Sequence, residues 1–348
     1  MMPKSQLIQT ASGAHRTRLL RRVVSELRDG QPVILEDTQR FILIAAETAT
    51  DLSLSELEPF AASNLTLLLA AGRAALLGYE SHGRPEEPRA FQIPWASISP
   101  AVLRGLADPT IPTVLPKGLE IVPTSKLSEL MLALVKRAKL LPAVLVAQLS
   151  AADDLSRAHG NYLTIAPATD LLLQLEEEPR LKRIAEANLP IKAHCSTRMM
   201  IFRNMDDDTE NVAIIIGDPK SKAAPLVRLH SACFTGEALG SLRCDCGEQL
   251  RDALDKMAAE GAGILIYLPQ EGRGIGLSNK LRAYHLQDLG YDTLQANHAL
   301  GWESDARSFD QAAAILKELD ITRIRLLSNN SQKLNQLTKR GIAVQPIP

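Results

Sequence analysis

From about residue 190 onward, apolar runs typical of strands alternate with amphipathic segments typical of helices, and this alternation limits the folds open to that part. The strand candidates are residues 212–216, 226–230, 263–268 and 323–327. The helical candidates are residues 249–260, 276–289, 310–319 and 331–340. Gly261, Gly290 and Gly341 follow three of these segments, as helix stop signals do. The pattern predicts an α/β or mixed α+β domain.

The preceding residues have a different pattern, rich in Leu and Ala. Helical segments are predicted at residues 16–29, 65–77 and 126–141, with short strands at 32–35, 41–45 and 143–147. A chain of 348 residues is long enough for two cores, and the Asn-Leu-Pro sequence at residues 188–190 indicates a linker. We therefore expect two domains, residues 1–185 and 186–348, each a mixed β-sheet flanked by helices.

Three of the four cysteines lie close together, as Cys233, Cys244 and Cys246 in a C-x10-C-x-C pattern. Closed structural zinc sites have four protein ligands, whereas catalytic sites have three and leave one position for water. The three thiols therefore predict a zinc site that activates water for hydrolysis.

Two other interpretations of these cysteines remain open. A disulfide is possible, although Cys244 and Cys246 are too close in sequence to pair well with each other. Alternatively, one of the three thiols packs as a small hydrophobic side chain and no metal binds. Gly236, Gly240 and Gly247 would let the chain bend the thiols inward, which favours the zinc site. Cys195 is interpreted as an inert core thiol.

Residues 270–276, Gln-Glu-Gly-Arg-Gly-Ile-Gly, lie between a predicted strand and a predicted helix. Glycines at such a place let backbone N–H groups approach an anion, and Arg273 could bind a phosphate in bidentate fashion. A dinucleotide-binding loop is the alternative, since Asp292 follows Gly272 at a suitable distance, but the glycine spacing departs from that fingerprint. Further candidates for phosphate contacts are Arg228, Lys280, Arg282, Arg307 and Lys333.

The charge balance gives no reason to expect nucleic acid or a membrane as a partner. The formal net charge is −1, and no apolar run approaches the length needed to span a bilayer. The first residues show no signal peptide, and free thiols fit a reducing compartment. We expect a cytoplasmic protein.

Five segments together resemble GTP cyclohydrolase II, a family of hydrolases. They occur in that family's order and spacing over residues 182–345: residues 227–236, 240–247, 270–277, 279–284 and 326–330. The resemblance implies that a zinc-activated water attacks C8 of guanine in GTP, after which formate and pyrophosphate are released. The product would be 2,5-diamino-6-(5-phospho-ribosylamino)pyrimidin-4(3H)-one, with which riboflavin synthesis begins.

The resemblance also assigns roles to individual residues. The ligands of one Zn²⁺ per chain correspond to the three cysteines, the proton acceptor to Asp305, and the arginine that attacks the α-phosphate to Arg307. Tyr284 matches a tyrosine that assists at the ring. The family's GTP contacts correspond to Arg228, Leu229, His230, Ser231, Ala232, Gln249, Glu271, Gly272, Arg273, Thr293, Ser328 and Lys333. Mg²⁺ serves the triphosphate in this family, and its members are commonly homodimers.

Two positions depart from the family's pattern. Ala232 stands where a glutamate usually precedes the first cysteine, and Ser328 replaces a threonine while keeping the hydroxyl. The missing glutamate motivates an alternative function, a non-catalytic GTP-binding or regulatory paralogue that retains zinc. A third possibility is a cyclohydrolase that stops at the formamidopyrimidine.

The first part resembles 3,4-dihydroxy-2-butanone 4-phosphate synthase, through residues 29–37, 45–50, 140–146 and 159–160. The acidic loop with which that family binds metal and substrate is missing, because Arg40 runs directly into Phe41. Leu127 occupies the position of the family's metal-binding histidine. The resemblance therefore implies a domain without synthase activity, with a role in dimerisation or regulation.

Overall fold

The chain forms two compact units in a computed structural model that describes residues 4–60, 65–79, 86–149, 163–194 and 196–347. The first unit consists of Met1–Glu177 and Leu277–Asp305, and the second of Glu178–Gly276 and Ala306–Pro348. Each unit contains one seven-stranded mixed sheet within the described residues, with helices beside it. This confirms the predicted fold class.

The strands of the first sheet are β1 (Val33–Glu36), β2 (Arg40–Ala45), β3 (Thr66–Leu69), β4 (Arg89–Gln92), β5 (Glu120–Val122), β6 (Ala143–Leu149) and β7 (Thr164–Pro167). Those of the second are β8 (Leu181–Asn188), β9 (Thr197–Asn204), β10 (Glu210–Gly217), β11 (Leu226–Ser231), β12 (Ala262–Leu268), β13 (Arg323–Leu327) and β14 (Ala343–Ile347).

Helices in the described residues are α1 (Lys4–Arg28), α2 (Asp51–Leu57), α3 (Ala71–Leu76), α4 (Pro100–Ala107), α5 (Ser128–Arg137), α6 (Ala168–Glu176), α7 (Phe234–Glu237), α8 (Cys246–Ala259), α9 (Leu277–Asp288), α10 (Thr293–Ala299), α11 (Asp310–Glu318) and α12 (Ser331–Lys339). Short 3₁₀ turns are Glu58–Phe60, Trp95–Ser97, Pro219–Ser221 and Glu271–Gly274. No helix in this part of the chain is long and apolar enough to cross a membrane.

The first sheet has the order β5-β4-β3-β6-β2-β1-β7, and its neighbours are antiparallel except for β1 and β7. β2 is apolar along almost its whole length and five of its six residues are buried, as is typical of a strand covered on both faces. Val23 and Leu27 of α1 and Leu134 of α5 are fully buried in the same core. Burial of these side chains stabilises the first unit.

The second sheet has the order β14-β13-β11-β12-β10-β9-β8. The neighbours among β11 to β14 pair in parallel, whereas β10, β9 and β8 extend the sheet in antiparallel fashion beyond β12. Its core includes Phe202, Leu229, Ile266 and Phe309. Because the carboxyl ends of parallel strands meet at one edge of a sheet, loops after β11, β12 and β13 meet there.

Several features of the described residues differ from the sequence-based expectation. Residues 65–77 do not form one helix but β3 followed by α3, because the run Thr66–Leu69 pairs with β4 and β6. The expectation contains neither β8 nor β9, and residues 188–190 are no linker: Asn188 ends β8, and the next two residues lie in its connection to β9 within the second unit. The expected division at residues 185 and 186 falls inside β8, and the compact units divide at Glu177.

Candidate active site

The three thiols predicted to bind metal converge at the edge where the parallel strands end. Cys233 directly follows β11 and precedes α7, and Cys246 is the first residue of α8. The Sγ atoms of Cys233 and Cys244 are 3.5 Å apart, and all three Sγ atoms lie within 4.8 Å of one another. Cys233 is buried and the other two are half-buried, and all three are free thiols. The predicted convergence is confirmed.

Glycines make room for this cluster. A Cβ atom on Gly236 would lie 2.6 Å from the Sγ of Cys244 and 3.2 Å from that of Cys233. A Cβ atom on Gly247 would lie 2.6 Å from the carbonyl oxygen of Gly236. Because real Cβ atoms do not approach other atoms this closely, only glycine at both positions allows the thiols to meet in this way.

The cluster suits a zinc ion in its donor chemistry and size. With Zn–S bonds of about 2.3 Å, tetrahedral thiolates lie about 3.8 Å apart, close to the 3.5 Å between the Sγ atoms of Cys233 and Cys244. Burial, and then hydrogen bonding to and charge repulsion from Cys233, raise the pKa of Cys246 to about 12 in the metal-free cluster. A divalent cation would offset that repulsion, since thiolates are the metal-binding form.

Glu237 connects the first cysteine to two neighbouring strands. Its Oε1 accepts hydrogen bonds from the Cys233 backbone N–H at 2.7 Å and pairs with the Nε2 of His230 at 3.0 Å. Its Oε2 accepts from the Tyr267 hydroxyl at 2.8 Å. Burial lowers the pKa of His230, which favours the neutral ring as donor to Glu237. Glu237 and Tyr267 are not among the predicted site residues, because their link to the cysteine depends on the pairing of β11 with β12.

The glycine-rich loop after β12 lies beside the thiol cluster. The Oε2 of Glu271 accepts a hydrogen bond from the Phe234 backbone N–H at 2.7 Å, directly after Cys233. Gly272 and Arg273 both have left-handed backbone conformations, with φ of 63° and 58°. The Arg273 side chain is exposed. This loop is the predicted strand-to-helix connection, but it contains a 3₁₀ turn before α9 begins.

Arg228 lies on β11 and is held by the neighbouring strand and helix. Its guanidinium donates to the carbonyl oxygen of Leu327 at 2.8 Å and to the Oε1 of Gln249 at 2.6 Å. Gln249 in turn donates to Asp245 at 2.7 Å. The Nε of Arg228 is buried and has no hydrogen-bond partner among the described residues. Burial lowers the pKa of this guanidinium, which stays charged at neutral pH.

Arg307 and Lys333 bring positive charge to the same unit. A guanidinium nitrogen of Arg307 donates to the Ser231 hydroxyl at 3.4 Å. The ammonium of Lys333 donates to the carbonyl oxygen of Leu229 at 2.9 Å and is itself buried. Both cations lie over the ring of Phe309, at 5.3 and 5.4 Å from its centre.

The remaining predicted contacts of the second unit use backbone or small side chains. Leu229 is buried in the core, so its carbonyl oxygen is the part that faces Lys333. The Ala232 N–H donates to the carbonyl oxygen of Leu268 at 2.8 Å, which ties the end of β11 to β12. Ser328 follows β13 and is half-buried, and its hydroxyl accepts from the Asn330 N–H at 3.2 Å.

Three predicted site residues belong to the first unit instead. Tyr284 lies on α9, Thr293 begins α10, and Asp305 is the last residue of the segment Leu277–Asp305. Their predicted roles therefore stay predictions. Arg282, a candidate phosphate contact, is instead paired with two carboxylates of the first unit.

Two sequence departures of the first part have a structural counterpart. Glu36 and Arg40 face each other across a hairpin whose connection is only residues 37–39, so the longer acidic loop of that family is missing there. Leu127, at the position expected for a histidine, is buried in the hydrophobic core. Cys195, His159 and Gly160 lie outside the described residues.

Comparisons with known proteins agree on one family. The family model described as GTP cyclohydrolase II matches residues 182–347. The GTP cyclohydrolase-2 of Xylella fastidiosa (strain 9a5c) is 34% identical over 338 residues, covering 96% of this chain and 82% of that protein. The GTP cyclohydrolase-2 of Azospirillum brasilense is 45% identical over 216 residues, covering 61% of this chain and 56% of that protein.

A solved structure of a two-domain 3,4-dihydroxy-2-butanone 4-phosphate synthase from A. baumannii is also similar along the chain. It covers 94% of this chain and 99% of its own, with a TM-score of 0.37 and 18% sequence identity.

Proposed function

The chain belongs to the GTP cyclohydrolase II family, and from this premise we propose that it hydrolyses GTP with release of formate and pyrophosphate. The product would be 2,5-diamino-6-(5-phospho-ribosylamino)pyrimidin-4(3H)-one, at the start of riboflavin synthesis. The observation that carries the proposal is the convergence of three free thiols within 4.8 Å.

Cys233, Cys244 and Cys246 would hold one zinc ion. Zinc with three protein ligands lowers the pKa of a water molecule in its fourth position and so supplies a nucleophile at neutral pH. Glu237 would orient the first of these ligands, because its carboxylate holds the backbone of Cys233. Such outer contacts of metal ligands restrict their geometry.

The chain's own cations would bind the triphosphate. Arg307, Arg273 and Lys333 offer guanidinium and ammonium donors, of which guanidinium matches phosphate oxygens in pairs. The buried Nε of Arg228 still has a donor to offer a substrate acceptor. Asp305 would accept a proton at its carboxylate and Tyr284 would assist at the ring, as the family resemblance implies. Mg²⁺ on the triphosphate, a homodimer and a cytoplasmic location belong to the same proposal.

The first part would have no synthase activity. The β1–β2 connection, which has no room in its three residues for the family's acidic loop sequence, and the buried Leu127 at the position of the family's metal-binding histidine support this. Incubation with ribulose 5-phosphate and Mg²⁺ should give no butanone phosphate; its formation would contradict this part of the proposal.

A product assay tests the main proposal. The purified, zinc-loaded full chain is incubated with GTP and Mg²⁺, and formate, pyrophosphate and the pyrimidine are measured by coupled assay and mass spectrometry. We expect all three products from the wild type and none from Cys244→Ser, which should also lose zinc. Retained activity in that variant would contradict the metal assignment.

Two alternatives give other outcomes in the same assay. A non-catalytic GTP-binding paralogue, suggested by Ala232 in place of the usual glutamate, would bind GTP and zinc without forming products. A cyclohydrolase that stops early would give a formamidopyrimidine that retains the formyl carbon. Its mass distinguishes it from the full product.

A further inference from the structure

We infer that the first unit supports catalysis by holding the segment Leu277–Asp305 in place. Arg282 of this segment pairs with two carboxylates from earlier in the chain, Glu47 and Asp108. We call Arg282, Glu47 and Asp108 the carboxylate anchor. The inference rests on the proposed function, because it concerns the helix that carries Tyr284 and the segment that ends at Asp305.

The carboxylate anchor uses three different nitrogen atoms of one guanidinium. The Nε of Arg282 donates to Asp108 at 2.7 Å, and one terminal nitrogen donates to Glu47 at 2.8 Å. The other terminal nitrogen donates to the side-chain oxygen of Asn279, one turn earlier on α9, at 2.7 Å. Asn279 is fully buried and donates to the carbonyl oxygen of Lys139 at 3.1 Å.

Burial makes this anchor stronger than a surface ion pair. The side chains of Asp108, Glu47 and Arg282 are 6%, 17% and 22% exposed. Screening by water weakens exposed pairs, whereas removing one partner of a largely buried pair leaves an uncompensated charge. Each carboxylate is also fixed by backbone: Glu47 accepts from the Leu141 N–H at 2.6 Å, and Asp108 from the Thr110 N–H at 2.9 Å.

The rest of the segment is held at further points of the first unit. Lys136 on α5 pairs with Glu303 at 2.5 Å. A Cβ atom on Gly72 would lie 2.0 Å from the carbonyl oxygen of His298, so the start of α3 packs directly against the backbone of α10. The segment is therefore fixed along its length by residues far away in sequence.

The anchor assigns the first part a role that needs no synthase chemistry. Tyr284 lies two residues after Arg282 on the same helix, so the orientation of α9 determines where its ring lies. Glu47 and Asp108 contact no residue of the thiol cluster among the described contacts. They are therefore positioning residues.

Isosteric variants test the anchor in the full chain. Glu47→Gln and Asp108→Asn keep an oxygen for the Leu141 and Thr110 N–H groups but place an amide NH₂ against Arg282. Glu36→Gln is the matched control, because it removes an ion pair with Arg40 on the exposed β1–β2 hairpin of the same unit. Asp108→Glu restores a carboxylate and should recover activity.

We expect kcat for formate release to fall about tenfold or more in Glu47→Gln and in Asp108→Asn, because small displacements of positioned groups slow catalysis. Zinc content and the folded fraction at the assay temperature should match those of the Glu36→Gln control. Tm should fall, because a buried charge loses its partner, and amide hydrogen exchange in residues 277–305 should become faster. A kcat within about twofold of the wild type would overturn the inference. So would a fall in kcat that merely follows loss of zinc or of folded protein.

Failure of the proposed function gives a different result. A wild-type chain that releases no formate would overturn the proposed function and the catalytic part of this inference. Hydrogen exchange would then still test whether the carboxylate anchor holds the segment. Unchanged protection of residues 277–305 in both variants would overturn the anchor, and selective loss of protection there would support it.

Discussion

Gly236→Ala tests whether the space between the three thiols is needed for metal binding. The added methyl group would lie 2.6 Å from the Sγ of Cys244, and 3.2 Å from both the Sγ of Cys233 and the Cβ of Cys246. All three ligands would have to move apart. The positive-φ backbone that favours glycine is not found at this position, so the effect is purely steric.

Overpacking of this kind costs about 1–3 kcal/mol. If that cost falls on the metal-bound state, the Kd for zinc rises about 5- to 150-fold. Competition with a chromophoric zinc chelator measures this shift directly, and formate release at limiting zinc provides a second measurement. We expect activity to recover when zinc is added in excess, because the substrate contacts are unchanged.

Gly13→Ala is the matched control. Gly13 lies in α1, where an added Cβ would have its nearest neighbour, a guanidinium nitrogen of Arg16, 3.8 Å away. Its zinc affinity should equal that of the wild type. A Kd for Gly236→Ala within about twofold of this control would refute the reasoning, since it would mean that the thiols bind no metal in the arrangement described.

Three other changes have definite expected outcomes. Asp305→Asn should keep zinc and GTP binding in equilibrium titrations but lower kcat by at least about 100-fold, the usual contribution of a general base; unchanged formate release would refute its assignment. Burial lowers the pKa of His230 below 6.5, so the unfolded state binds the proton more readily. The free energy of unfolding therefore falls as the pH drops below that value. In urea titrations at decreasing pH, His230→Gln should show a smaller fall of the free energy of unfolding than the wild type. Thr50→Ala removes the capping box of α2, in which Thr50 and Ser53 exchange hydrogen bonds, and should lower the free energy of unfolding by about 1 kcal/mol, whereas Ser55→Ala on the exposed face of that helix should have little effect.

Elements with a clear hydrophobic pattern could be predicted from the sequence. β2 and β11 are short apolar runs, and both were placed within a residue or two of their observed ends. Residues 65–77 were assigned wrongly because a run of Leu and Ala has no period that separates a buried strand from a helix. β8 was missed because seven of its eight residues are exposed, so no apolar face marks it.

The site was only partly predictable for a similar reason. The spacing of the cysteines indicated that they could converge, because two are one residue apart and glycines surround them. Glu237 carried no such signal: its importance depends on Tyr267, which β12 brings beside β11. The pairing of Arg282 with Glu47 and Asp108 joins residues more than 170 positions apart, and no local pattern predicts contacts at that distance.

The path of the chain between Gly276 and Ala306 has a consequence for any attempt to divide the protein into fragments. Arg273 and Ala306 are joined by a backbone hydrogen bond, so the chain leaves the second unit and returns to it at almost the same point. Residues 182–347, which the family model matches, therefore belong partly to one compact unit and partly to the other. A fragment of this chain that begins after Glu177 would keep the helices of the segment Leu277–Asp305 but would lack Glu47, Gly72 and Asp108, against which that segment is held.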